Sequence, residues 1–256
     1  MLQFLKNLNK HRLILRNARK YRNFCDAKRA IEDALIVSKQ HEKIFPKFKN
    51  INRGKSIGIV ATGSSLESFC PDAISEDVLY LGVNRSVQYK KIEYSYFFIQ
   101  DYSGSKGYIS EISDYKRPSK QDCIKFYGRV VENRKGLDSI IPDLEIERAN
   151  ALMYYTGYPD RRFVYNIDNV GLPDFGSVVF SAFMFALWTH PKRIYLIGCD
   201  CSDVYFDKMR SKSNFSDLIN SWKMAKKFQK AYYPDVEIVS VNPVGLKGLF
   251  LDYYQN

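Results

Sequence analysis

Five short apolar runs, each closing on a polar residue, set the strongest limit on what this chain can fold into. Ser56–Ala61 (SIGIVA) runs into Thr62-Gly63-Ser64-Ser65, and Val78–Asn84 (VLYLGVN) ends on Asn84. Tyr94–Gln100 (YSYFFIQ) meets Asp101, Ile194–Cys199 (IYLIGC) meets Asp200, and Val236–Val241 (VEIVSV) meets Asn242. Runs this short, with no polar face, describe strands covered on both sides, as in a parallel sheet. Helical patterns lie among them. Val178–Trp188 is apolar but for Ser181 and reads as a buried helix, and Phe215–Ala231 sets Leu218, Trp222, Ala225 and Phe228 on one face. Alternating strands and helices with right-handed crossovers predict an α/β fold, a doubly wound, mostly parallel Rossmann-like sheet. Cys123–Tyr127 and Phe163–Ile167 are weaker candidate strands. Residues 103–160 are the least regular part and read as a loop-rich insertion or lid on a nucleotide-binding domain spanning residues 51–256.

Residues 1–50 differ in character. No Pro or Gly precedes Pro46, and Leu2, Leu5, Leu8, Leu13, Leu15, Ile31, Leu35 and Ile36 recur at helix-like intervals. Pro46–Gly54 (PKFKNINRG) reads as the linker that follows. The first 30 residues hold nine Lys and Arg against Asp26, which is +8 of the chain's net +11. The partner implied by charge is thus a partner of this helical arm: nucleic acid, anionic lipid or an acidic protein. The rest of the chain shows no basic-aromatic face for nucleic acid, so an anionic membrane surface is the expected target of residues 1–45. Each Lys or Arg near such a surface contributes about 1 kcal/mol. The rival reading packs the arm's Leu and Ile stripe on a partner subunit in an oligomer.

The five cysteines (Cys25, Cys70, Cys123, Cys199 and Cys201) are odd in number and lack zinc spacing, as expected of a reducing compartment. The N-terminus has no secretory pattern, and the longest apolar stretch is too short to cross a bilayer. The expected location is the cytoplasm, peripheral on the inner face of the membrane.

In an open parallel sheet, ligands bind beyond the carboxyl ends of the strands, where strand order reverses. Gly63, Ser64, Ser65, Asn84, Asp101, Asp200 and Asn242 all fall there. A glycine turn lets backbone approach a phosphate or ribose, and the following N–H groups attract anions. This turn is neither a Walker loop nor a G-x-G-x-x-G fingerprint. Its alternative role is a tight turn with a Ser cap. Asp101 and Asp200 can hold Mg²⁺ on diphosphate oxygens or cap the turns after their strands. His11 and His41 fall in the arm and read as solvated, while His190 sits in a turn at the opposite edge of the sheet. A Ser-His-Asp or Cys-His site is therefore not expected.

The stretches SIGIVATGSSLESF, VLYLGVN and FGSVVFSAFMFALWTHPKRIYLIGCD resemble the bacterial lipooligosaccharide sialyltransferases and the related 6-hydroxymethylpterin diphosphokinase-like proteins, which include flagellin-glycosylation proteins. The likeness covers roughly residues 55–102 and 175–242. It implies that Gly63, Ser64 and Ser65 meet a donor nucleotide, Asn84 its ribose or base, and Gly176 and Ser177 its phosphate or sugar. Asn242 and Pro243 would help to close the pocket. The family has Pro where Ser64 stands and Thr-Ser-Gly where Phe175-Gly176-Ser177 stand. It also places a catalytic histidine after the strand that ends here at Asp200. This chain has none there; Asp203 and Asp207 are the nearby candidates for a catalytic base, and Tyr205 for steadying the leaving phosphate.

The expected function is a glycosyltransferase that uses a nucleotide-activated sugar, of the CMP-sialic acid kind, to extend a bacterial surface glycan or glycolipid. The alternatives are a Mg-dependent pyrophosphokinase-like enzyme and a catalytically inactive nucleotide-binding scaffold.

Overall fold

Along the central strands, successive side chains enter opposite hydrophobic layers, as a pleat covered on both faces requires. A computed structural model describes residues 39, 41–100, 102, 107–119, 122–130, 141–157, 162–168, 170–173, 175–209 and 215–255. Its strands are β1 (Ser56–Val60), β2 (Val78–Val83), β3 (Tyr94–Ile99), β4 (Ile124–Val130), β5 (Leu152–Gly157), β6 (Leu172–Pro173), β7 (Arg193–Ile197), β8 (Glu237–Val241) and β9 (Leu251–Tyr253). They form one sheet in the order β6-β5-β4-β3-β2-β1-β7-β8-β9. Every pairing is parallel. Strand order therefore reverses between β1 and β7.

The helices are α1 (Ile109–Asp114), α2 (Asp143–Arg148), α3 (Val179–Trp188) and α4 (Phe215–Tyr232). One layer joins α3 and the Trp222, Ala225 and Phe228 face of α4 to Ile57, Ile59, Ile194 and Leu196. The other joins Ile109 and Ile112 of α1 to Val60, Phe97, Ile99 and Ile197. All ten residues of α3 are buried. The apolar helix is thus one that a sheet and a second helix cover completely, and it is far too short for a bilayer. No helix among the described residues is long and apolar enough to cross a membrane.

Several expectations are corrected here. Residues 103–160 are no mere loop insertion: they supply β4 and β5, which carry the sheet beyond β3. Phe163–Ile167 is not a strand; Leu152–Gly157 takes that place in the sheet. The IYLIGC strand stops at Ile197, because Gly198 turns the chain at φ 64°. Pro46–Gly54 is not a free linker. Phe48 is buried, and the Asn50 and Asn52 N–H groups donate to the carbonyls of Trp188 and Thr189 at the end of α3.

His41 is buried, not solvated. Its Nε2 accepts the Tyr155 N–H at 2.7 Å. Nδ1 is then the protonated nitrogen, facing the carbonyls of Val170 at 2.9 Å and Ile167 at 3.2 Å. Phe45, next to it, is fully buried and stacks on Phe126. His41, Ile44, Phe45 and Phe48 therefore belong to the domain core, whereas the arm at 1–38 lies outside the described residues.

Candidate functional site

The exit of β1 and the exit of β7 lie side by side, and their loops are tied together. The Gly63 N–H donates to the Gly198 carbonyl at 2.8 Å. The Asp200 carboxylate, 3% exposed, accepts from the Ser65 N–H at 2.7 Å, the Ser65 Oγ at 2.5 Å and the Ser64 Oγ at 3.2 Å. A Cβ on Gly63 would stand 2.5 Å from the Asp200 Cγ, so only glycine lets the two loops close this far. The Asp200 oxygens face the β1 turn, as in a cap on that turn.

In front of this latch lies a cavity of about 210 Å³. Gly63, Asn84, Gly176, Ser177 and Asp200 line it, joined by Thr62, Gln100, Cys201, Tyr205 and Trp222. The residues that open α3 and α4 also reach it: Val178 and Val179, then Phe215 and Leu218. Helix N-termini carry partial positive charge and donor N–H groups that suit an anion. Asn84, Gly176, Gly198 and Cys201 all have positive φ, which gathers uncommon backbone conformations around one opening.

The comparisons bear on this arrangement of strands and loops. In fold, the chain is similar to a solved glycosyltransferase. The structure of the MAf glycosyltransferase from Magnetospirillum magneticum AMB-1 matches with a TM-score of 0.50 at 12% identity, over 86% of this chain. The match takes in 38% of the neighbour, so this chain spans well under half of its length. No family model matches the sequence, and no curated protein matches it. The doubly wound α/β fold expected from the sequence is the fold that the neighbour shares.

The remaining predicted residues part company. Ser64 and Ser65 stand one step behind the cavity, holding Asp200. Asn242 sits at the end of β8 with φ 46°, but its Oδ1 accepts the Gln255 N–H and its own N–H donates to Tyr253. It stitches the β8 exit to β9 and does not line the cavity. Asp203 is exposed and also lies outside the lining. Asp207 pairs with Arg85 at 2.8 Å, while the Arg85 guanidinium lies over the Tyr205 ring at 4.6 Å. Tyr205 bridges to Gly63, and the Phe206 N–H donates to the Thr62 carbonyl, so the loop after β7 folds back over the β1 turn. Asp101 lies outside the described residues.

Sequence reasoning missed Arg85 and Gln100. Gln100 is buried in the cavity lining, and its Oε1 lacks a hydrogen-bond partner among the described residues. Its position as the last residue of the third apolar run was the available signal.

Proposed function

We propose that the chain is a glycosyltransferase whose nucleotide-activated sugar donor sits at the β1–β7 exit. The observation that carries this reading is the single cavity where Gly63, Asn84, Gly176, Ser177 and the Asp200 latch converge at the point of strand reversal. The enclosed volume is below the roughly 300 Å³ of a small ligand site. It suits a nucleoside or its phosphate, with the sugar reaching past the rim toward the 201–209 loop. Asn84 would bond the ribose or base, and the first turn of α3 would face the phosphate. Chemistry would be direct displacement: the acceptor hydroxyl attacks the donor sugar's anomeric carbon, the nucleotide leaves with the bonding electrons, and a base takes the hydroxyl proton. Asp203 and Asp207, on the 201–209 loop, are the candidate bases. The acceptor would be a bacterial surface glycan or glycolipid, met at an anionic membrane face through the arm.

The test is a thermal-shift screen with CMP-, UDP-, GDP- and dTDP-sugars, with and without Mg²⁺, followed by transfer assays with whichever donor stabilises the fold. A donor that raises Tm without Mg²⁺ supports the transferase. A shift with nucleoside triphosphates that needs Mg²⁺ supports a pyrophosphokinase-like reading instead. The carboxylates give a second reading its footing: Asp207 is held by Arg85 and Asp203 points to solvent, the state of a nucleotide-binding scaffold. Saturable nucleotide binding with no transfer from any donor would favour that reading.

A further inference from the structure

A second and larger cavity, about 710 Å³, lies at the other edge of the sheet. It is lined by Ile124 and Leu152, the first residues of β4 and β5, so it sits at the amino ends of parallel strands, away from the β1–β7 exit. Its charged lining is one-sided: Lys47, Lys116, Arg117, Lys125 and Arg148 against Asp122 alone. Arg148 is neutralised, since its Nε and Nη2 both reach the Asp114 carboxylate. The others are not so closely paired. Arg117 has a side chain only 15% exposed; its Nε forms a long ion pair, 3.8 Å, with the part-exposed Glu93, and has no hydrogen-bond partner among the described residues. Lys125 is 6% exposed, and its ammonium donates to the neutral Ser113 carbonyl at 2.5 Å, with no carboxylate in salt-bridge range among the described residues. Burial pushes the Lys125 pKa down, and burial pushes the neighbouring Cys123 thiol up to about 12, so the thiol supplies no counter-charge. A buried ammonium held by a neutral carbonyl and a guanidinium with only a long ion pair leave donors that an anion with several oxygens would satisfy. Lys47 and Lys116 are exposed and would gather such an anion at the mouth.

We propose that this cavity is a second ligand site, distinct from the donor pocket, and that it takes a phosphate-bearing small molecule or headgroup. Its volume falls in the range of small-molecule sites, roughly 300–1,000 Å³. Arg117 and Lys125 form the floor and Lys47 and Lys116 the entrance.

Calorimetric titration of the full chain with inorganic pyrophosphate tests this. One saturable site is expected. Arg117→Met should weaken it about tenfold or more, the usual loss when a charge-assisted hydrogen bond is removed. A Lys47→Glu/Lys116→Glu double variant, altered only at exposed positions, should fold normally and also weaken it. Asn84→Gly, in the other pocket, should leave it unchanged. A parallel arm uses vesicles containing phosphatidic acid: binding that pyrophosphate displaces assigns the phosphate to a lipid headgroup, and pyrophosphate binding without vesicle binding assigns it to a free ligand. The proposal fails if folded wild type shows no saturable pyrophosphate binding. It fails equally if that binding is lost with Asn84→Gly and survives both cavity variants.

Discussion

The Asp200 carboxylate accepts a hydrogen bond from the Ser65 backbone N–H at 2.7 Å, so two strand exits far apart in sequence are latched together at the strand reversal. Removing the carboxylate in Asp200→Ala leaves the Ser65 N–H without its partner, and the loss should be about 3 kcal/mol, as for buried bonds to a charged group. Urea unfolding measures it. Asp200→Asn, which keeps one acceptor oxygen, should lose less.

Gly63→Ala should be at least as damaging, because the added methyl would meet the Asp200 carboxyl at 2.5–2.6 Å and the Gly198 carbonyl at 2.6 Å. The expected outcome is a lowered Tm together with lost nucleotide response. Normal stability and normal binding in this variant would show that the latch is slack.

Asn84 holds φ 51°, so Asn84→Ala mixes backbone strain with loss of the amide. Asn84→Gly separates them. It should keep its Tm and weaken nucleotide binding by about 1–3 kcal/mol, the cost of an unmet hydrogen bond. Unchanged affinity would remove Asn84 from the donor site.

Much of the fold was legible because buried parallel strands carry their own mark: an apolar run that stops at a polar exit. β1, β2, β3, β7 and β8 read true within a residue or two. β5 (LMYYTG) did not, since Met, two tyrosines and Thr look half-polar in isolation and become a strand only between β4 and β6. The burial of His41 was illegible for a stronger reason: its partners, Tyr155, Ile167 and Val170, come from a distant part of the chain. In the site, the glycine turn and Asn84 were readable from strand ends, whereas the Arg85–Asp207 pair depends on how the loop after β7 folds back.

His41 makes a pH prediction whose sign is fixed. Burial holds its pKa down at about 4 from 6.5, although the carbonyls of Val170 and Ile167 act the other way. Between these values the unfolded chain takes a proton that the native chain refuses, so stability should fall as pH drops from 6.5 toward 4, by about 3 kcal/mol in all. Glu76 acts in a lower window. Burial raises its pKa, but hydrogen bonds from Lys192, Tyr195, Ser56 and Arg193 outweigh this and hold it at about 2. Its contribution, complete above 4.5, fades as pH falls toward 2. Urea titrations between pH 7.5 and 4.5 should show the His41 slope in wild type and a flatter one in His41→Gln.

Asp203→Asn and Asp207→Asn address the proposed base. One of them should lower turnover by about 100-fold with donor affinity little changed, the usual scale for losing a general base. If both keep full turnover with a confirmed donor, the base lies elsewhere.

Because Ile44, Phe45 and His41 are core residues, the arm must be cut before them. A chain lacking residues 1–38 should fold, bind nucleotide and lose co-sedimentation with anionic vesicles. A chain lacking residues 1–45 should unfold readily, since removing one buried Phe ring alone costs about 3–5 kcal/mol.

The latch also has a temporal meaning. Ser65 and Asp200 are separated by 135 positions, and β7 pairs with β1 only after every strand from β2 to β6 has been made. On the ribosome, the cavity at the strand reversal therefore has no half-built form: the Gly63 turn emerges early, and the strand carrying Asp200 must arrive to close it.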